Sequence, residues 1–277
     1  MQKIDSHQHF WIYNDVRDAW ITDDMEVIRR NFLPADLQQV LLQNGITGCV
    51  AVQADQSEQE TDFLVGLAQN HEFIKGVVGW VDLQADNLEE RLQHYASIKL
   101  IKGFRHVLQA EEGEFMLQLS FVNGVALLKQ YGFTYDILVK PHQLSFVKEF
   151  VAKFPDQPFV IDHLAKPYIK DRRIDSWRED MIKIAAFPNV SCKISGMVTE
   201  ADWTMWQPDD FTPYLDVVFS AFGSDRVMFG SDWPVCNLAG GYKGVMGVID
   251  SYIDKLTENE QEMFWAKNSV KFYNLGA

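Results

Sequence analysis

Short apolar segments alternate with amphipathic segments along the whole chain, and this alternation constrains the possible folds more than any other feature. Near-continuous apolar strands are typical of a parallel sheet whose two faces are covered, commonly by helices. We count eight such strand segments, at 3–10, 47–53, 74–82, 100–107, 133–139, 158–164, 190–195 and 227–233.

The segments between these strands carry the signals of helices. Ser57-x-x-Glu60 predicts the first turn of one helix, and Thr257-x-x-Glu260 predicts the start of a terminal helix. Eight strands alternating with helices in 277 residues favour a (β/α)₈ barrel. A doubly wound sheet is the alternative, but no glycine-rich phosphate loop follows the first strand. No linker or low-complexity segment interrupts the chain, so we expect one barrel domain over residues 1–277.

Charge and cysteine usage restrict the partners and the compartment. The formal net charge of −14 disfavours nucleic acid and anionic membranes as partners. The sequence shows neither a signal peptide nor an apolar run long enough to cross a bilayer. The three cysteines are widely spaced and form neither a zinc pattern nor a disulfide framework. These features predict a cytoplasmic protein; nothing in them specifies an oligomeric state.

Polar residues at the predicted strand ends are the candidates for chemistry, because active sites of such barrels lie at the C-terminal ends of the strands. His7 and His9 alternate on the first strand and therefore face the same side. Asp232 follows the apolar run of the last strand, where a carboxylate is costly unless chemistry or a cation uses it. A closed barrel brings these two strands together. With His163 after strand six, these residues predict a hydrolytic site.

Each of these residues also has an ordinary structural interpretation. The Asp162-His163 pair alone is more often a hydrogen-bonded strand end, and Asp232 could simply cap the turn that follows it. What favours chemistry is their expected meeting at one face. Five further residues at this face are predicted to bind substrate, namely Arg105, His106, Trp11, Trp80 and Trp233.

Five motifs occur in order along the chain: Asp5-Ser-His-Gln-His-Phe-Trp11, Gly103-Phe-Arg-His106, Ile161-Asp-His-Leu-Ala-Lys-Pro167, Lys193-Ile-Ser-Gly196 and Gly230-Ser-Asp-Trp-Pro234. Together they resemble the amidohydrolase superfamily over essentially the whole chain, in its branch of sugar-lactone and dicarboxylate-lactone hydrolases. The resemblance implies a distorted (β/α)₈ barrel and a small-molecule lactone as substrate, of the L-fucono-, L-galactono- or L-rhamnono-lactone type. It also implies ring opening by a water molecule that Asp232 activates.

The chain departs from the binuclear members of this superfamily at two strand ends. Those members carry a metal-bridging lysine after strand four and a histidine after strand five. Here strand four ends in Arg105-His106 and strand five in Val139-Lys-Pro141. We therefore predict either no metal or one divalent ion, with zinc as the candidate, and never a bridged pair. A single ion would be held by His7, His9 and Asp232.

Three alternatives remain open at this point. An aromatic-derived dicarboxylate lactone would need several arginines, whereas Arg105 is the one obvious strand-end arginine, expected at the mouth of the barrel. A barrel decarboxylase would need a firmly held metal. A non-catalytic sugar-binding barrel would not need a buried acid beside two imidazoles, so we favour the sugar-lactone hydrolase.

Overall fold

In this computed structural model of the protein, the structure describes residues 1–276. Eight parallel strands form one sheet in chain order, each paired with the next along the sequence. This is the strand order of a (β/α)₈ barrel, as the alternation of segments predicts. The strands are β1 Ile4–Gln8, β2 Gly48–Val52, β3 Ile74–Gly79, β4 Ile101–His106, β5 Thr134–Ile137, β6 Phe159–Ile161, β7 Val190–Ile194 and β8 Val227–Phe229.

Helices follow the strands and cover the outside of the barrel. The predicted helix starts are both present. Ser57 Oγ accepts from the N–H of Glu60 at 3.2 Å, and Thr257 Oγ1 accepts from the N–H of Glu260 at 3.4 Å. Only the second is a full capping box, because the Glu60 carboxylate instead accepts from the N–H of Ala54. Within residues 1–276 the α-helices are α1 Pro34–Gln43, α2 Glu58–Asn70, α3 Leu88–Ala96, α4 Leu119–Leu128, α5 Leu144–Val151, α6 Asp175–Ala185, α7 Met197–Glu200, α8 Thr212–Phe222, α9 Gly241–Ile253, α10 Glu258–Glu262 and α11 Asn268–Phe272.

Backbone hydrogen bonds just beyond β8 bring the ends of the sheet together. The N–H of Asp232 donates to the carbonyl of His7 at 2.8 Å, and the N–H of His9 donates to the carbonyl of Trp233 at 2.7 Å. β8 itself stops at Phe229, earlier than the predicted end at residue 233. Closure by these two bonds places Asp232 directly beside the histidines of β1.

The interior of the barrel is apolar toward the N-terminal ends of the strands and charged toward their C-terminal ends. Ile4, Val50, Val78, Val160 and Met228 form the apolar part, which Tyr273 and Leu275 of the C-terminal segment complete. Larger apolar side chains fill the layer between the strands and the helices. Among the helices of residues 1–276, none combines the length and apolar character needed to cross a membrane. The three cysteines are buried and have free thiols.

Candidate active site

Three side chains meet where β1 lies beside the residues that follow β8. The Nε2 atoms of His7 and His9 are 3.2 Å apart, and His9 Nε2 lies 3.3 Å from Oδ1 of Asp232. His7 Nε2 is 4.0 Å from the same carboxylate oxygen. All three residues are buried, so the interaction takes place largely out of water. The structure thus brings together the two histidines and the aspartate that the sequence analysis selected.

The surrounding hydrogen bonds define which ring nitrogen of His9 carries a proton. His9 Nδ1 lies 2.8 Å from the carbonyl oxygen of Val52, which can only accept, so we assign the proton to Nδ1. His7 has a donor and an acceptor at each ring nitrogen. Its Nε2 lies 3.3 Å from Nη1 of Arg105 and 3.2 Å from His9 Nε2, and its Nδ1 lies 3.1 Å from the Lys193 ammonium and 3.2 Å from a carboxylate oxygen of Asp162. These contacts do not select one tautomer of His7, whereas Nε2 of His9 directs a lone pair toward Asp232.

The contact between His9 Nε2 and Asp232 Oδ1 carries the chemistry of the site. An imidazole lone pair and a carboxylate oxygen repel each other unless a proton or a cation lies between them. Burial acts to raise the pKa of Asp232, but attraction to His163 and a hydrogen bond from His9, which places a proton between the two groups, outweigh it and hold this pKa below the ordinary value of 3.8. The carboxylate is accordingly ionised at neutral pH, as a general base must be.

His163 lies beside His7, with ring centroids 4.4 Å apart, and approaches Asp232 from an unusual turn. Its Nε2 lies 3.9 Å from Asp232 Oδ1, and its Nδ1 lies 2.9 Å from the hydroxyl of Ser195. Four consecutive residues, His163 to Lys166, have left-handed φ values between 52° and 57°. Such a conformation costs about 1–2 kcal/mol for each non-glycine residue. Strain of this kind persists only where the surroundings enforce it, and it concentrates at functional sites.

Packing against this turn identifies what enforces it. The indole N–H of Trp177 donates to the carbonyl of Leu164 at 2.7 Å. Gly196 lies so close that a Cβ atom there would stand 2.6 Å from His163 Nδ1. The Gly in the Lys193-Ile-Ser-Gly196 motif is therefore required for the position of His163. Asp232 also has a left-handed φ of 57°, so both sides of the site are strained.

A buried network of charges lies beneath the histidines. The Lys193 ammonium contacts Asp136 at 2.6 Å and Asp162 at 3.0 Å, and it lies 3.1 Å from His7 Nδ1. Arg105 Nη1 donates to Asp162 at 3.1 Å. The hydroxyl of Tyr273 donates to Asp136 at 2.7 Å. Together these contacts hold the His7 ring in one orientation.

Burial and these charges set the protonation states in the network. Burial raises the pKa of Asp136 to about 6, although Lys193 opposes the shift. For Asp162 the effect of burial is outweighed by Lys193 and Arg105, which hold its pKa well below the ordinary value. Burial lowers the pKa of His7 well below its ordinary value, against the attraction of Asp162. Burial likewise lowers the pKa of His163, against the attraction of Asp232. Both imidazoles are therefore neutral at pH 7.

Arg105 was expected at the mouth of the barrel, but its side chain lies in the barrel interior. Its side chain is 4% exposed, and its terminal N–H groups are directed to Asp162, His7 and the carbonyl of Gln53. Side chains alternate between the two faces of β4, and Arg105 is one of those directed into the barrel. The guanidinium therefore orients protein groups, and only its Nε lacks a hydrogen-bond partner among the described residues.

His106, the next residue on β4, points to the opposite face. Its ring stacks on Phe115 with centroids 5.0 Å apart, and its Nε2 lies 3.0 Å from a Glu111 carboxylate oxygen. Trp80 is half-buried, and its indole N–H points to His106 Nδ1 at 3.5 Å. These two predicted substrate-binding residues thus contact each other and do not join the His7–Asp232 group.

Trp11 and Trp233 belong to an aromatic cluster that is almost fully buried. Both rings pack edge-on against Phe32, with centroid distances of 5.4 Å and 5.2 Å. The indole N–H of Trp11 donates to the carbonyl of Arg30. This packing accounts for both rings as core residues, so the predicted stacking on a sugar has little support from their surroundings.

Asp136, Lys193 and Tyr273 belong to the charge network, although the sequence predicted a specific role for none of them. The sequence carries a signal for two of them, because Asp136 and Lys193 are each the single charged residue of a largely buried strand. Burial of such a charge requires a partner of opposite sign. Which partner it meets depends on the barrel, since these two residues are far apart in the chain.

A closed parallel barrel with two strand-1 histidines beside a carboxylate after strand eight defines an enzyme of the hydrolytic barrel class. The family profile described as Amidohydrolase matches residues 4–275, and the chain belongs to this family. The predicted superfamily and the predicted barrel are both confirmed.

Known relatives are similar over almost the full length. The chain is 38% identical to the L-fucono-1,5-lactonase of Burkholderia multivorans, over 99% of this chain and 96% of the relative. It is 34% identical to the L-fucono-1,5-lactonase of Burkholderia ambifaria, over 86% and 82% of the two chains. A crystal structure of an amidohydrolase from Burkholderia multivorans with bound zinc superposes with a TM-score of 0.96, at 37% identity and complete coverage of both chains.

Proposed function

We propose that this protein hydrolyses the lactone of a sugar acid, of the L-fucono-1,5-lactone type, and that Asp232 activates the attacking water. The observation that carries the proposal is the convergence of Asp232 Oδ1 with the Nε2 atoms of His7 and His9, 3.3 Å from the nearer one. The two Burkholderia L-fucono-1,5-lactonases support the substrate class.

Lactone hydrolysis requires a base for water, a group that stabilises the carbonyl oxygen and a proton for the departing alkoxide. Asp232 is ionised and buried, which suits it to accept a proton from water. His163 lies 3.9 Å from the same carboxylate and is held by Ser195, so it is placed to orient the water or the substrate. His7 and His9 would face the carbonyl oxygen, which a protonated imidazole or a cation held by them would stabilise. The proton that Asp232 takes from water would then pass to the departing alkoxide.

The donor set also fits one divalent ion. The separations of 3.2 Å and 3.3 Å between neighbouring donor atoms are close to the roughly 3.3 Å expected for ligands about 2.0 Å from a tetrahedral zinc ion. His7, His9 and Asp232 would hold the ion, and Arg105 Nη1, which lies 3.3 Å from His7 Nε2, would have to release that lone pair. A bound ion would supply Lewis acidity toward the lactone carbonyl.

The charges of the site favour a neutral lactone over a dicarboxylate. Arg105 and Lys193 are the buried cations of the site, and both are already paired with carboxylates of the protein. A dicarboxylate substrate would bring two more anions without a free arginine fork to receive them. Desolvating an unpaired charge costs several kcal/mol, so such a substrate would bind poorly.

The test is a set of hydrolysis assays on the purified protein by proton release, with spontaneous lactone opening subtracted. The substrates are L-fucono-, L-galactono-, L-rhamnono- and D-arabinono-lactone, with 2-pyrone-4,6-dicarboxylate for comparison. We expect kcat/KM at least about tenfold higher for the best aldonolactone, which corresponds to about 1.4 kcal/mol in the transition state. Preference for the dicarboxylate would contradict the proposed class, and lactone binding without turnover would favour a non-catalytic sugar-binding barrel.

A further inference from the structure

The tripeptide Ile-Lys-Gly occurs twice, at Ile74–Gly76 on β3 and at Ile101–Gly103 on β4. In both places the strand pairing skips the lysine. Cys49 and Val50 of β2 pair with Ile74 and Gly76, which leaves Lys75 unpaired, and the pairing of β3 with β4 leaves out Lys102 in the same way. A bulge of this kind redirects the side chain of the extra residue.

A glycine on the preceding strand makes room for each redirected lysine. A Cβ atom on Gly48 would lie 2.8 Å from Cγ of Lys75, and one on Gly76 would lie 2.7 Å from Cγ of Lys102. The aliphatic part of each lysine thus lies directly over backbone that has no side chain. Two adjacent strands therefore repeat one arrangement of bulge, lysine and glycine, which fixes the two lysine stems side by side.

The two lysines line a cavity of about 640 Å³ at the N-terminal end of the barrel, opposite the candidate active site. Lys99, Thr134 and Asn274 also line it, and the described lining residues include no Asp or Glu. Lys102 Nζ donates to the carbonyl of Asn274 at 3.0 Å, and partial burial lowers the pKa of Lys102. Three lysines that line one concavity focus positive potential, on a protein whose net charge is −14.

We propose that this lysine cavity is a binding site for a small oxyanion, carrying a phosphate or carboxylate group. Ammonium groups donate charge-assisted hydrogen bonds to such oxygens, and partial desolvation strengthens these bonds. The site is separate from the lactone-hydrolysing centre and does not depend on the proposed function. The repeated bulge holds Lys75 and Lys102 at the wall of the cavity, so an anion binds without first ordering these side chains.

The test is isothermal titration calorimetry of the full chain in a phosphate-free buffer of low ionic strength. Inorganic phosphate and a six-carbon aldonate are titrated separately, with chloride at matched ionic strength as the control. Saturable binding of one equivalent of phosphate supports a phosphate site, and saturable binding of one equivalent of the aldonate supports a carboxylate site. In either case the binding must depend on Lys75 and Lys102. Absence of binding for both anions, or equal binding of chloride, overturns the proposal.

The dependence on the lysines is tested with the double variant Lys75→Met, Lys102→Met, which keeps both stems and removes both charges. We expect affinity to fall at least tenfold. The matched control is Lys183→Met, Lys267→Met, whose lysines are exposed and paired with Asp180 and Glu262. Equal losses in the two variants would mean unspecific charge attraction and would overturn the site. Acetylation footprinting of the wild-type chain gives the same answer without a variant: bound anion should protect Lys75 and Lys102 but not Lys183.

Discussion

The buried charge network makes one strong prediction, for the substitution Lys193→Met. Lys193 is fully buried and contacts Asp136, Asp162 and the His7 ring. Methionine fills a similar volume but leaves both carboxylates without this cation. Removing one partner of a buried ion pair costs about 3–5 kcal/mol. Asp162 keeps its bond to Arg105 and Asp136 keeps its bond to Tyr273, so we expect the lower part of this range, about 3 kcal/mol.

The same substitution should change how stability depends on pH. Burial already raises the pKa of Asp136 to about 6 in the wild type, and loss of Lys193 should raise it further. A carboxyl group whose pKa is raised in the folded state binds protons more tightly there, so stability falls as pH rises from 3.8 through the folded pKa. The deficit of the variant should therefore be smallest near pH 5 and should grow by at least about 1 kcal/mol toward pH 8.

The assay is chemical denaturation at pH 5, 6, 7 and 8, followed by circular dichroism, with a thermal melt at pH 7. A loss of about 3 kcal/mol corresponds to a decrease in Tm of roughly 6–12 °C for a domain of this size. Lys183→Met is the matched control, because its exposed pair with Asp180 should contribute less than about 1 kcal/mol. A deficit no larger than that of the control, or one that does not change with pH, would refute the reasoning.

Four further predictions concern the site. Arg105→Ala should lower the free energy of unfolding by about 3–5 kcal/mol, because it leaves Asp162 buried without one of its cations. The control in the same denaturation assay is Arg30→Ala, which removes an exposed pair with Asp36. Equal losses of stability in the two variants would contradict the buried position of Arg105. Asp232→Asn should keep the fold and lower kcat by about 10²–10⁴-fold, the usual contribution of a positioned base. The control Asp209→Asn, at an exposed residue, should leave kcat unchanged. A near-normal kcat for Asp232→Asn would remove Asp232 from the mechanism. Since the pKa of Asp232 lies below 3.8, wild-type kcat/KM should show no acidic decrease assigned to this residue above about pH 5. Elemental analysis should find no more than one divalent ion per chain, lost in His9→Asn; two tightly bound equivalents would overturn the mononuclear prediction.

The fold class and the central residues of the candidate site follow from local patterns in the sequence. Eight apolar segments separated by helical segments indicate a parallel sheet covered on both faces, and the absence of a glycine-rich phosphate loop after the first strand favours the barrel over the doubly wound sheet. The placement of His7 and His9 on one side follows from strand periodicity alone, and the position of Asp232 beside them follows from closure of the barrel. These inferences need only the order of elements and the period of each one.

The roles of Arg105, His106 and Lys193 were decided by the tertiary structure. Arg105 and His106 are the last two residues of β4, and the pleat of the strand turns one into the charged interior and the other toward Phe115. Lys193 meets Asp136 across the barrel interior, at a distance in sequence that no local pattern encodes. Charged partners inside a barrel depend on the stagger between strands, and stagger is set by bulges and by closure of the whole sheet. The sequence alone therefore determined which strands carry the chemistry, whereas only the closed barrel decided which of its charged groups neutralise one another and which are left to act on a substrate.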